Sequence, residues 1–187
     1  MLAGAQDGAH PRSVSDNRRS IFRLGVVDLG VERVTLPNGH SLDLPIIRHP
    51  GASAVVALDE RRRVTLISQY RHAVGGHIWE IPAGGREPQE SIRQCAEREL
   101  LEEAGLVASR WDHLGSIVTI PSFCDERIDL FLARELSRGQ TRHEPDEVIR
   151  VEQIELSEAL AMVRRGEIID AKTITGLFQA SAFLKDG

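Results

Sequence analysis

Residues 84–106 read GGREPQESIRQCAERELLEEAGL, and this stretch restricts the fold of the 187-residue chain more tightly than any other. Ser91-Ile92-Arg93-Gln94 has the form of a capping box, in which the serine oxygen accepts the third helical N–H and the glutamine reaches back. Gly105 suits the left-handed residue that closes a helix. The spacing predicts a helix from Ser91 to Gly105, with Ile92, Ala96 and Leu100 as its buried stripe. Glu99, Glu102 and Glu103, three and four residues apart, fall on one side of it within about 100°. Like charges at that spacing destabilise a helix by roughly a few tenths of a kcal/mol per pair, and the negative end of the helix dipole adds to the cost. A cation removes the penalty. Clustered carboxylates are ligands for hard ions such as Mg²⁺, whose oxygen shell is completed by water and substrate phosphates. Arg98, four residues before Glu102, can hold that carboxylate in place. Taken alone, Glu102-Glu103 equally suits an ordinary solvated face.

Around this helix the pattern is mostly strand-like. Residues 1–20 carry no apolar period and read as a flexible leader. Residues 21–47 form an antiparallel unit interrupted by Pro37-Asn38-Gly39-His40, whose Asn-Gly is a two-residue hairpin signal. Residues 53–58 and 64–70 read as another strand pair around Asp59-Glu60-Arg61-Arg62, and a short strand fits residues 78–81 between glycine-rich breaks. Further strands are expected over 106–119, 127–132 and 148–156. Two helices close the chain, one from an N-cap at Ser157 to Gly166 and one from Asp170 to Lys185. Strands on both sides of one helix, followed by terminal helices, imply an α/β (α+β) domain with a mixed sheet and helices on its faces.

Composition removes several function classes. The longest apolar runs, such as residues 54–58, fall far short of the roughly 20 residues of a membrane helix, and the N-terminus has no basic start followed by an apolar run. No membrane partner is expected, and the cytoplasm is the expected compartment. With 28 acidic against 23 basic residues and a net charge of -5, the chain has no nucleic-acid footprint. Cys95 and Cys124 lie in no zinc-ligand or disulfide spacing, and the seven histidines include no HExxH, so metal chemistry must use oxygen ligands. Cys124 has no histidine in an identifiable partnering motif and is not expected to act as a nucleophile.

Gly84, Glu90, Arg98, Glu99, Glu102, Glu103 and Gly105 match the pattern G-x5-E-x7-R-E-U-x-E-E-x-G-U, with Leu100 and Leu106 at its bulky aliphatic positions. Seven fixed positions at roughly 7% usage each coincide by chance in about one in a million chains of this size. The chain therefore resembles the Nudix hydrolases, divalent-metal-dependent pyrophosphohydrolases acting on a nucleoside diphosphate linked to another group. Gln69-Tyr70-Arg71, residues 79–84 and Pro121, sixteen positions after Gly105, resemble the ADP-ribose pyrophosphatase branch, although Ser122 stands where many members have glycine.

The resemblance implies an α/β/α Nudix sandwich over residues 51–187, preceded by a small β unit at 21–50 through which a homodimer forms. It implies that the Ala83 carbonyl, Glu99, Glu102 and Glu103 bind Mg²⁺, with Mn²⁺ as an alternative, while Glu90 and Arg98 orient the helix and its ligands. Arg71 contacts the diphosphate, which suits a bidentate guanidinium. Glu80 and Glu126 sit near the ribose or a metal-bound water, beside the loop of Pro121. Glu102 and a late loop glutamate complete the catalytic set. Glu147 aligns to a metal or water ligand, whereas Glu144 matches the base after a one-residue shift. The expected products are AMP and ribose 5-phosphate.

Two readings stay open beside this one. Another nucleoside diphosphate sugar, such as GDP-mannose, would use the same chemistry, because base and sugar contacts are not encoded in the motif. A catalytically silent nucleotide-binding module is the other, against which the intact glutamates argue. Phe22 and Trp79 are candidates for base stacking or for the core.

Overall fold

The computed structural model describes residues 17–140 and 149–186. The chain divides into two compact units after Arg48. The first holds three antiparallel strands in order, β1 (Arg18–Leu24), β2 (Val27–Thr35) and β3 (Ser41–Arg48). β1 starts at Arg18, inside the stretch expected as a leader, because Arg18 is tied to the neighbouring strand through Asp28, with Nη2 to Oδ1 at 2.6 Å. The β2–β3 hairpin forms, but its connection is Pro37-Asn38-Gly39 rather than two residues. Leu36 and His40 still pair, with N to O at 2.8 Å, and Gly39 N–H closes a turn onto the Leu36 carbonyl at 2.8 Å. This is the three-residue loop built on a turn plus one left-handed residue. Glu32 is buried under the bidentate guanidinium of Arg48, at 2.9 and 2.6 Å. Phe22 is 52% exposed, so it is not a core residue of this chain.

The second unit contains a four-stranded mixed sheet in the order β7 (Ala83–Gly85), β4 (Ala52–Ala57), β9 (Arg127–Arg138) and β8 (Leu106–Val118). Only the β4–β9 pair is parallel. Every residue of β4 is buried, as expected for a strand covered on both faces. Val55 and Ala57 pack with Phe131 and Ala133 against Ala96 and Leu100 of α1 (Ile92–Ala104). The alternate residues Ala54 and Val56 face the larger core, which contains Leu66, Ile81, Leu130, Leu132 and Leu177. That core is closed by α2 (Leu156–Arg164), α3 (Ala171–Asp186) and a second antiparallel sheet, β10 (Ile149–Glu155), β5 (Arg63–Arg71) and β6 (Gly76–Glu80).

The expected strand pair over 53–58 and 64–70 does not form. Both edges of β4 are taken by β7 and β9, and β5 is taken by β6 and β10, leaving the single bridge Leu58–Val64. α2 begins at Leu156, before Ser157, and Glu155 occupies the N-cap. Leu156 is buried and donates its N–H to the Arg62 carbonyl at 2.9 Å, which ties the helix start to β5.

Candidate active site

α1 carries the acidic side chains because its ends are fixed locally. Ser91 Oγ accepts the Gln94 N–H at 3.2 Å, Gln94 Oε1 accepts the Ser91 N–H at 2.9 Å, and Gly105 closes the helix at φ 63°, ψ 33°. Leu100 at the buried face aims Glu99 and Glu103 toward β7, where they are 7% and 3% exposed. Glu103 Oε2 accepts the Ala83 N–H at 2.8 Å. Gly84 lies directly over Glu99, and a Cβ there would sit 2.0 Å from Oε1. Only glycine leaves room for the carboxylate.

Arg98 joins helix and strand. Its Nε and Nη2 clasp the Glu90 carboxylate at 2.9 and 3.0 Å, Nη2 donates to the Gly85 carbonyl at 2.9 Å, and Nη1 reaches Glu99 at 2.6 Å and Glu102 at 3.1 Å. Those hydrogen bonds, that to Glu90 foremost, raise the Arg98 pKa and hold the Glu90 carboxyl below its usual range. One guanidinium thus organises three carboxylates on two elements. Cys95 lies beneath them, its thiol 3.5 Å from the Gly84 carbonyl, and burial pushes its pKa up to about 11.

Among the described residues no three His, Cys, Asp or Glu side chains already converge as ligands, since Arg98 engages Glu99 and Glu102. The donor set nevertheless fits a hard divalent cation. All its atoms are oxygen, one arginine pairs with Glu90, Glu99 and Glu102, Glu103 is held at the Ala83 N–H, and the missing Gly84 side chain leaves the Glu99 carboxylate its place.

Arg71, at the end of β5, donates from Nε and Nη2 to Glu80 at 2.7 and 2.9 Å. Glu80 is 1% exposed. Its second oxygen also takes the Lys172 ammonium from α3, so both oxygens are occupied by cations of the chain. Burial pushes the Glu80 pKa up, but the Arg71 hydrogen bonds and the Lys172 charge outweigh it and hold the group below its ordinary value. Trp79 is partly buried against the larger core.

The loop of Pro121 is an exposed turn, with Cys124 N–H on the Ile120 carbonyl at 2.9 Å. Glu126 accepts the Thr119 hydroxyl at 2.6 Å and lies 3.6 Å from His49 Nδ1, while Asp125 accepts the His49 N–H at 2.8 Å. Glu144 and Glu147 lie outside the described residues. The structure therefore brings Ala83, Glu99, Glu102 and Glu103 together through Arg98 and the edge of β7, and pairs Arg71 with Glu80. Lys172, Asp170 and His49 escaped the sequence reading. Only the N-cap form of Asp170 before α3 hinted at them.

A family model described as NUDIX domain matches residues 47–176. An ADP-ribose pyrophosphatase of Bacillus subtilis (strain 168) is 39% identical over 158 residues, covering 83% of this chain and 85% of its own. A protein of Bacillus methanolicus named methanol dehydrogenase activator is 39% identical over 156 residues, covering 82% and 84%. A crystal structure of an ADP compounds hydrolase superposes with a TM-score of 0.79 over 91% of this chain and 92% of its own, at 20% identity, a likeness of fold.

Proposed function

The chain belongs to the NUDIX domain family, and from that premise we propose that it is a metal-dependent hydrolase splitting ADP-ribose into AMP and ribose 5-phosphate. The observation that carries this reading is the seating of Glu99 and Glu103 against residues 83–85, with Arg98 holding Glu99. The likeness to an ADP-ribose pyrophosphatase over most of both chains supports the substrate.

In this reading Ala83, Glu99, Glu102 and Glu103 hold Mg²⁺, or Mn²⁺ in its place. A divalent cation held there would supply charge neutralisation of the diphosphate and a lowered pKa for the attacking water. Arg98 holds Glu99 and Glu102 in register with the strand edge through its bond to the Gly85 carbonyl. Arg71 binds the diphosphate with the nitrogen that Glu80 leaves unused, and Glu126 with the Pro121 loop borders the sugar. A glutamate at 144 or 147 takes the proton from water. The homodimer belongs to the same reading. Ile21, Phe22 and Leu24 of β1 are exposed apolar side chains on a three-stranded sheet, the kind of surface a second copy covers. The same reading assigns the protein to the cytoplasm.

The test is phosphate release, coupled through alkaline phosphatase, across ADP-ribose, GDP-mannose, UDP-glucose, NADH, FAD and diadenosine polyphosphates with Mg²⁺, Mn²⁺ or EDTA. Metal-dependent preference for ADP-ribose is expected, and Glu103→Gln should lower kcat by about two orders of magnitude or more without changing the circular dichroism spectrum. Preference for GDP-mannose would keep the chemistry and discard the substrate. Binding without turnover would identify a silent module.

A further inference from the structure

The ammonium of Lys172 is largely covered where the first turn of α3 meets the end of β6. Its side chain is 12% exposed, and Nζ touches Glu80 Oε2 and, at 3.0 Å, Asp170 Oδ2. Covering a lysine this far is costly unless its charge is paired. Asp170 Oδ2 also accepts the Thr173 N–H at 2.9 Å and the Thr173 hydroxyl at 2.6 Å. Thr173 Oγ1 in turn accepts the Ile81 N–H at 2.9 Å. The start of α3 therefore grips two successive residues at the strand end, Glu80 by its side chain and Ile81 by its backbone.

Arg71 meets the same carboxylate from the open side, with a side chain 41% exposed against 12% for Lys172. Glu103 and Asp170 attract the Arg71 guanidinium as well, after its hydrogen bonds to Glu80, so it lies within the field of the acidic helix. A carboxylate paired with Arg71 alone is free to swing out with it, because keeping a charged pair out of water is costly. Lys172 removes that freedom by fastening the carboxylate from behind. The two-point fork between Arg71 and Glu80 then fixes the plane of the guanidinium, and with it the direction of Nη1, which neither bond uses. Of the 23 basic residues only two are lysine, and a compact ammonium suits an oxygen already shared with arginine better than a second planar fork.

We propose that Lys172, held by Asp170, is a positioning residue that anchors Glu80 and through it directs the Arg71 guanidinium toward the substrate diphosphate. The direction toward the diphosphate rests on the reading that Arg71 contacts it; the anchoring of Glu80 does not.

Two readouts separate these. In ¹⁵N-labelled protein the Arg71 Nε–H resonance, identified by its loss in R71K, is expected to shift and broaden in K172M, which keeps most of the length of the side chain and removes its charge. In Mg²⁺, K172M is expected to raise KM for ADP-ribose about tenfold while kcat stays within about threefold. In an R71A background K172M should change KM no further, because it acts only through Arg71. An unchanged resonance in folded K172M overturns the anchoring, and a raised KM in K172M that simply adds to that of R71A overturns its action through Arg71. A displaced resonance with unchanged KM leaves the anchoring standing and overturns Arg71 as the diphosphate contact. If K172M does not fold, D170N, which keeps an acceptor at the helix cap but loses the charge holding the ammonium, is measured in the same way with the same expected and overturning results.

Discussion

The carboxylate of Glu99 occupies the space where a side chain on Gly84 would begin, with an ideal Cβ only 2.0 Å from Oε1. The obstructing atoms are the tip of a flexible side chain, so Gly84→Ala should move Glu99 rather than unfold the protein. The Mg²⁺ concentration for half-maximal activity should rise by about 10-fold to 100-fold, as when a group supporting a metal ligand is lost. The melting temperature should fall by no more than about 4 °C, the shift for about 1 kcal/mol in a domain of this size. A metal titration beside a thermal melt checks both, and unchanged metal dependence would count against Glu99 as a ligand.

Arg98 serves Glu90, Glu99, Glu102 and the Gly85 carbonyl with three nitrogens. Lysine presents one point charge and cannot reproduce that fork. Arg98→Lys is expected to keep the fold and weaken Mg²⁺ activation by about 10-fold to 100-fold. Activation indistinguishable from wild type would mean that the carboxylates orient themselves.

Glu80 has its pKa held below the ordinary 4.5, since Arg71 and Lys172 outweigh the upward push of burial. A carboxyl group depressed in the folded state stabilises the fold above its unfolded pKa and loses that contribution as pH falls through the folded value. Urea unfolding of wild type should therefore show stability declining below about pH 5. Glu80→Gln should cost about 3 kcal/mol at pH 7, as for a buried pair losing one partner, and its deficit should shrink as pH drops below 4.5. A deficit that grows toward acid would reverse the assigned sign.

Cys95 is fully buried with a pKa pushed up to about 11, whereas Cys124 is partly exposed with a pKa raised by burial to a smaller degree. Thiolate is the reactive form. Ellman's reagent at pH 8 should titrate no more than one thiol in the native chain, that of Cys124, and both in denaturant. Fast reaction of Cys95, located by peptide mapping, would show that the strand edge opens away from α1.

The features legible along the chain were local and periodic. The capping box at Ser91, the closing turn at Gly105 and the clustering of Glu99, Glu102 and Glu103 all follow from contacts within one helix, whose geometry repeats every few residues. The glycine at 84 was legible as part of a motif, though its purpose, room for the Glu99 carboxylate, is visible only where β7 crosses α1. Tertiary structure decided the rest. Residues 53–58 and 64–70 look like one hairpin in the sequence, yet each strand has better partners elsewhere, and alternating hydrophobicity names no partner. Lys172 and Glu80 are 92 positions apart, and their pairing is set by where α3 docks, through apolar burial at Leu177 and Ala180 that any amphipathic helix could supply. A charge on a helix can be read from the chain; which buried charge it meets depends on how the core packs, because only packing removes the water that would otherwise be its partner.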